Sequence, residues 1–181
     1  MAEPFKNTPP APEAKGEMTA QNIAAALAGE SQASQKYLAF AAAADDEGFP
    51  NVARFFRAAA YSESNHARNH LSVLGGIGTT AENLKAAFGG ESFEITEMYP
   101  AYDAVAKLQG NESARLSVRY ALQAEKQHRA IYDDLLKGVE GSKDMGGEAV
   151  WVCPICGYTT IGTAPDYCPE CATTKEYFKE F

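Results

Sequence analysis

The sequence predicts an all-α four-helix bundle followed by a small cysteine-rich module. Two observations carry that prediction. Glu63-x-x-His66 and Glu125-x-x-His128 are each preceded by a Gly-Glu-Ser, at Gly29-Glu30-Ser31 and Gly90-Glu91-Ser92. A carboxylate on one helix and Glu-x-x-His on the next, made twice, is the ligand set of a two-metal site inside a helical bundle. Nearer the C-terminal end, Cys153-x-x-Cys156 and Cys168-x-x-Cys171 have the spacing that gathers four thiolates around one metal.

Each element has its own signals. Residues 1–17 are proline-rich and lack apolar periodicity, so they read as a disordered or loosely packed arm. Thr19 is a candidate N-cap, and Ala20 to Ala44 is alanine-rich and strongly helix-forming. Asp45-Asp46-Glu47-Gly48-Phe49 interrupts it, and Pro50 stands at a first helical position. The second helix runs to Leu74, where Gly75-Gly76 stops it. Thr79 or Thr80 caps a third segment that reaches Gly110, with a kink or break expected near Pro100. The fourth helix spans Asn111 to Lys137. These limits place the bundle at 18–138, a polar linker at 139–148 and the cysteine module at 149–181.

The two helical halves repeat each other. Residues 19–31 align with residues 80–92, and eight of those thirteen positions are identical. The same offset plus one residue superimposes Glu63 and His66 on Glu125 and His128. Two copies of a helical hairpin, each with half of a metal site, imply a pseudo-twofold bundle with the metals on or near the pseudo-axis.

Composition narrows the function classes. Net charge is −8 and no Lys/Arg-rich run exists, which argues against a nucleic-acid footprint. No stretch approaches the roughly 18 apolar residues of a membrane span, and the N-terminal residues lack the apolar region of a signal peptide. All four cysteines belong to the metal pattern, so a reducing cytoplasm is the expected location.

Residues i and i+3 on a helix lie about 60° apart in azimuth, so Glu63 with His66, and Glu125 with His128, reach one cavity. Bridging carboxylates with one imidazole per metal suit iron or manganese. The repeat equates Glu91 with Glu30. Glu94 is one such step from Glu91 and makes a seventh ligand, whereas Glu97 is rotated by about 120° and stays outside. The repeat sets Ala33 opposite Glu94, so the two metal positions are chemically unequal. His70 has Tyr132 as its counterpart and reads as a surface histidine. Tyr37, seven residues after Glu30, is either a hydrogen-bond partner of a ligand or a tyrosine of the bundle core. Spacing alone makes the cysteine site either a structural zinc ribbon or a mononuclear iron site. Trp151, Tyr158, Tyr167 and Phe178 are the expected aromatic core of that module.

Taken together, Gly29-Glu30-Ser31-Gln32-Ala33 with Tyr37, Glu63-x-x-His66-Ala67, Gly90-Glu91-x-x-Glu94-x-Thr96-Glu97-Met98-Tyr99-Pro100, Glu125-x-x-His128, Cys153-Pro-Ile-Cys156-Gly-Tyr and Cys168-Pro-Glu-Cys171 resemble the rubrerythrins. The likeness covers residues 18–181. It implies a ferritin-like diiron bundle fused to a β-rich rubredoxin-like domain. Glu63 and Glu125 would bridge the irons. One iron would carry Glu30 with Glu94 when ferric and His66 when ferrous, and the other would carry Glu91 and His128. Tyr37 and Tyr99 would orient the carboxylates by hydrogen bonds. Ser64 and Asn65 replace more charged residues common in the family, and neither is a ligand. The context favours iron over zinc at Cys153, Cys156, Cys168 and Cys171, because a diiron site needs single electrons.

The implied activity is NAD(P)H-linked reduction of hydrogen peroxide to water, protective against oxidative stress, with an external reductase feeding electrons through the cysteine site. The alternative is a ferroxidase or iron-handling protein of ferritin type. A homodimer, head to tail, would set each cysteine site near the partner's diiron centre. Neither nucleic acid nor membrane is an expected partner.

Overall fold

The computed structural model describes residues 16–144 and 147–181, so most of the predicted N-terminal arm lies outside the described residues. The elements are α1 (Glu17–Asp46), α2 (Pro50–Val73), α3 (Thr80–Phe93), a π-helical turn (Glu94–Met98), α4 (Tyr99–Leu108), α5 (Glu112–Glu140), β1 (Val150–Val152), β2 (Thr159–Ile161), a 3-10 turn (Lys175–Tyr177) and β3 (Lys179–Glu180). No described helix is long and apolar enough to cross a membrane. The described residues divide into two compact units, one ending at Gly78 and the other running from Thr79.

The first unit is the antiparallel hairpin of α1 and α2. Helix α1 begins at Glu17, and its N-cap is Gly16 at φ 92° rather than the expected Thr19. Glu17 and Met18 are good helix formers, so the helix continues back to the first residue whose backbone leaves the helical region. Pro50 opens α2 as predicted. Its missing N–H costs nothing there, because the first helical amides have no partner within the helix. At the other end Gly75 takes φ 71°. Gly75 N–H then reaches Ser72 O at 2.9 Å, and Gly76 N–H reaches Leu71 O at 3.0 Å, a glycine stop that satisfies the last carbonyls.

Small side chains hold this hairpin together. Ala53, Ala60 and Ala67 are the buried residues of α2, with Ala53 0% exposed. They recur every seven residues, as do Ser34 and Ala41 on α1, which keeps each set on one stripe. Ala41, Ala44 and Ala53 form one cluster with Phe56 packed against it. The Ser34 hydroxyl, buried between the helices, donates to Ala60 O at 3.0 Å. Alanine at such positions lets helix axes approach closely.

In the second unit, Thr79 caps α3. Its hydroxyl accepts from Glu82 N–H at 3.3 Å, and the Glu82 carboxylate accepts from Thr79 N–H at 2.7 Å, a reciprocal capping box. The break expected near Pro100 takes a specific form. The chain widens into one π turn, in which Tyr99 N–H bonds Glu94 O, and Pro100 then sits in the first turn of α4. A proline in a helix interior would leave a carbonyl unpaired and clash with the preceding turn. The wider turn accommodates it without ending the helix. Asn111 caps α5 by accepting from Ala114 N–H at 3.1 Å.

The cysteine module is a three-stranded antiparallel sheet in the order β2-β1-β3. Trp151 Nε1 donates to Gly162 O at 3.0 Å. Phe178 is buried beside Cys153, Cys156, Ala164 and Cys168, with Trp151 and Tyr158 packed against them. Tyr167 departs from expectation: it is 66% exposed, and Tyr120 of α5 packs on the cluster instead. A module this small cannot enclose four aromatic rings by itself.

Thr79→Ala removes the hydroxyl half of the capping box while the backbone N–H of residue 79 still donates to Glu82, and it is expected to destabilise the protein by about 1 kcal/mol, with Thr79→Ser close to wild type. Chemical denaturation followed by circular dichroism measures this, and an unchanged midpoint in the alanine variant contradicts it.

Candidate metal centres

Helical geometry builds the first triad within the α1–α2 hairpin. Ligand atoms of Glu30, Glu63 and His66 all lie within 4.8 Å of one another. His66 Nδ1 is 2.8 Å from Glu63 Oε2, the short i, i+3 approach that the Glu-x-x-His spacing predicts. The His66 side chain is 50% exposed.

The second triad repeats the arrangement with Glu91, Glu125 and His128, again within 4.8 Å. His128 Nδ1 is 2.6 Å from Glu125 Oε2 and 3.7 Å from Glu91 Oε1. Burial pushes the Glu91 carboxyl up to about 7, with the charges of Glu125 and Glu94 adding to it. Carboxylates so placed repel one another, and a bound cation removes that repulsion. The donor set is hard oxygen with one imidazole nitrogen per triad, which suits a divalent iron or manganese.

Glu94 lies outside both triads but close to the second. Burial raises its carboxyl, Glu125 raises it further, and His128 opposes them. Tyr99 is raised by burial first, then by the charges of Glu94, Glu125 and Glu91, so its ring lies among the carboxylates. Tyr132 is raised by burial and then by Glu91 and Glu125. Sequence reasoning missed Tyr132, although it stands seven residues after Glu125 and therefore nearly on the same azimuth. Tyr37 packs with Phe40 and Phe56 at ring-centroid distances of 6.2 and 6.0 Å. Glu97 is exposed and His70 only partly so, and neither belongs to a triad.

The four cysteines form the third cluster. Cys153 Sγ is 3.5 Å from Cys171 Sγ, and Cys156 Sγ is 3.5 Å from Cys168 Sγ. A tetrahedron with metal–sulfur bonds of about 2.3 Å has edges of roughly 3.8 Å, so the cage fits one metal. Burial pushes the Cys156 and Cys168 thiols up, while backbone amides of Tyr158, Glu170 and Cys171 point at those sulfurs and favour the thiolate. Burial also raises Cys171, but hydrogen bonds from the Thr173 hydroxyl and amide outweigh it and leave the thiol lowered, at about 7. Amides aimed at sulfur spread the charge of a thiolate–metal centre.

The module is fastened to α5. Tyr120 packs on the cysteine cluster, and the Thr159 hydroxyl lies 2.9 Å from His128 Nε2. His128, Tyr132, Val152, Thr159 and Phe181 share the wall of one cleft of about 560 Å³. The second triad therefore has the chain's own cysteine module beside it.

A hard carboxylate–imidazole set and a soft four-thiolate set on one chain define a non-haem redox metalloprotein. Comparison with known proteins agrees. The Rubrerythrin family model matches residues 21–136, and the model for the rubrerythrin rubredoxin-like domain matches residues 151–179. Rubrerythrin-2 of Clostridium acetobutylicum is 37% identical, covering 92% of this chain and 98% of its own length. The rubrerythrin of Nitratidesulfovibrio vulgaris is 36% identical, covering 91% and 95%. A partially reduced structure of nigerythrin superposes with a TM-score of 0.55 at 28% identity, over 100% of this chain and 98% of that one. The chain belongs to the rubrerythrin family. Its fold class is the ferritin-like helical one with a small rubredoxin-like strand module. It carries that family's diiron domain, with the glutamates and histidines above, and its four-cysteine site.

The raised Glu91 carboxyl makes a pH prediction for metal-free protein. Its folded value of about 7 exceeds the ordinary 4.5, so the folded state holds a proton that the unfolded state releases in between. Stability of the metal-free protein falls as pH rises across that window. Thermal denaturation of chelator-stripped protein from pH 4.5 to about 7 should show the fall, and Glu91→Gln should flatten it. An equal slope in wild type and variant refutes the assignment.

Proposed function

We propose that this protein is a peroxidase that reduces hydrogen peroxide to water, with electrons delivered through the iron of the cysteine site. The observation that carries this reading is the cysteine module lying directly against α5 at His128. Storage of iron needs no such thiolate site beside its carboxylates, whereas a multi-electron reduction needs one-electron resupply.

The reaction consumes two electrons and two protons per peroxide and yields two waters. The diiron centre supplies the two electrons and a Lewis-acid surface for the oxygen. Glu30, Glu63, His66, Glu91, Glu94, Glu125 and His128 would hold that centre, with Cys153, Cys156, Cys168 and Cys171 around the single iron (zinc being the other metal this cage accepts). Glu94 and His66 are the proposed exchangeable pair. His66 is half exposed, and Glu94 stands at the first position of the π turn. Burial and the neighbouring carboxylates keep the phenolic protons on Tyr99 and Tyr132, which makes these two the proposed hydrogen-bond partners of the metal-holding carboxylates. The fully buried residues near the cysteine cage exclude water from the thiolates.

An external NAD(P)H-linked reductase would return the electrons one at a time, in the cytoplasm, where thiolate cages survive reduction. A head-to-tail homodimer is the proposed assembly. It would bring a second cysteine module to each carboxylate site, in addition to the chain's own at His128.

Metal analysis with the visible spectrum of anaerobically reduced protein, before and after one equivalent of hydrogen peroxide, tests the reading. The expectation is about three irons per chain, two with the carboxylates and one with the thiolates. Rapid reoxidation and return of the cysteine-site colour should follow peroxide. Glu125→Ala should reduce peroxide turnover to the uncatalysed level while that colour persists. Inertness of the iron-filled wild type to peroxide rejects the peroxidase, and iron with the carboxylates but zinc with the thiolates favours iron handling.

A further inference from the structure

Resting on the reading of His128 as a metal ligand, we propose that Thr159 is a positioning residue that fixes the tautomer of His128 and joins the cysteine module to the carboxylate site. Thr159 opens β2 and is 8% exposed. Its backbone is held by pairing with Val152, so its side chain has a defined direction. The hydroxyl has one proton, and it donates that proton to Gly157 O at 2.9 Å. What remains for a second neighbour is a lone pair.

That neighbour is His128 Nε2, 2.9 Å away. To make this hydrogen bond the ring must carry its proton on Nε2 and donate it. Nδ1 lies 2.6 Å from Glu125 Oε2 and 3.7 Å from Glu91 Oε1; a carboxylate oxygen only accepts, so Nδ1 donates to Glu125 until a metal takes that proton's place and meets the Nδ1 lone pair. One hydroxyl thus selects the metal-binding nitrogen and points it at the carboxylates.

Docking of the module on α5 maintains the contact. Tyr120, Ala124 and His128 are spaced four residues apart and share one face of the helix. Tyr120 packs on the cysteine cluster. Gly157 sits over Ala124, where a Cβ on the glycine would meet Ala124 Cβ at 3.4 Å. Thr159 completes the row at His128. Gly157 directly follows Cys156, and its carbonyl accepts from Thr159, so the hydrogen-bonded path from imidazole to thiolate knuckle is continuous. His66, by contrast, has half its side chain exposed.

Histidine ring ¹⁵N spectra of the full chain, with zinc filling the cysteine cage and the carboxylate sites either empty or zinc-loaded as a diamagnetic probe, test this directly. In wild type, Nε2 should stay protonated with and without zinc at the carboxylates, and zinc should replace the Nδ1 proton and shift Nδ1. Thr159→Val keeps the shape and loses the hydroxyl. It should give mixed tautomers at His128 and at least about tenfold weaker zinc binding at the carboxylates. Thr159→Ser should restore both. In parallel iron-loaded samples, the visible spectrum of iron in the cysteine cage reports that the module is folded in each variant. A single Nε2–H tautomer with wild-type affinity in Thr159→Val overturns the proposal, as does equal loss in the serine and valine variants. If zinc leaves His128 Nδ1 unshifted in wild type, the metal-ligand reading itself fails and takes this role with it.

Discussion

Carboxylates crowded around an imidazole repel one another, and that repulsion organises this molecule. Glu91, Glu125 and His128 converge within 4.8 Å of one another in a partly buried cluster, and burial with like charge drives the Glu91 carboxyl up to about 7. Without a cation the arrangement opposes folding. With one, the same charges become the affinity of the site. The Glu-x-x-His spacing and the Gly-Glu-Ser repeats keep oxygen and nitrogen donors in this otherwise unfavourable cluster.

Helix α5 is the element on which the two kinds of metal chemistry meet. Positions 125 and 128 use the i, i+3 relation to put a carboxylate and a ring nitrogen together. Positions 120, 124 and 128 use the i, i+4 relation to present a face that the cysteine module covers. His128 belongs to both rows, with one ring nitrogen toward the carboxylates and the other toward β2. That dual position couples a hard-ligand site to a soft-ligand one without a long linker between them.

Local signals were accurate wherever one residue's backbone chemistry decides the outcome. Pro50 opens α2 and Gly75 ends it, and Thr79 caps α3 with Glu82 as its reciprocal partner. Elsewhere competing preferences won. Thr19 was outweighed by the helix propensity of the residues before it, so α1 starts at Glu17. Pro100 signalled a disturbance but not its form, because whether a helix breaks or widens depends on how the turns on both sides pack. Tyr167 pattern-matched a core aromatic, yet the module is too thin to bury it and borrows Tyr120 from α5 instead.

The sequence by itself determined the ligand types, their order and their pairing along helices, because i, i+3 geometry and Cys-x-x-Cys knuckles are local and leave a readable spacing. It also determined the family, through motifs spread over nearly the whole chain. Only the tertiary structure decided which face of the cysteine module meets α5, that Tyr132 faces the carboxylates, and that Thr159 holds His128. The hydrogen bond between Thr159 and His128 joins residues 31 apart. No helical or strand period relates two such positions; the packing of Gly157 over Ala124 brings them together.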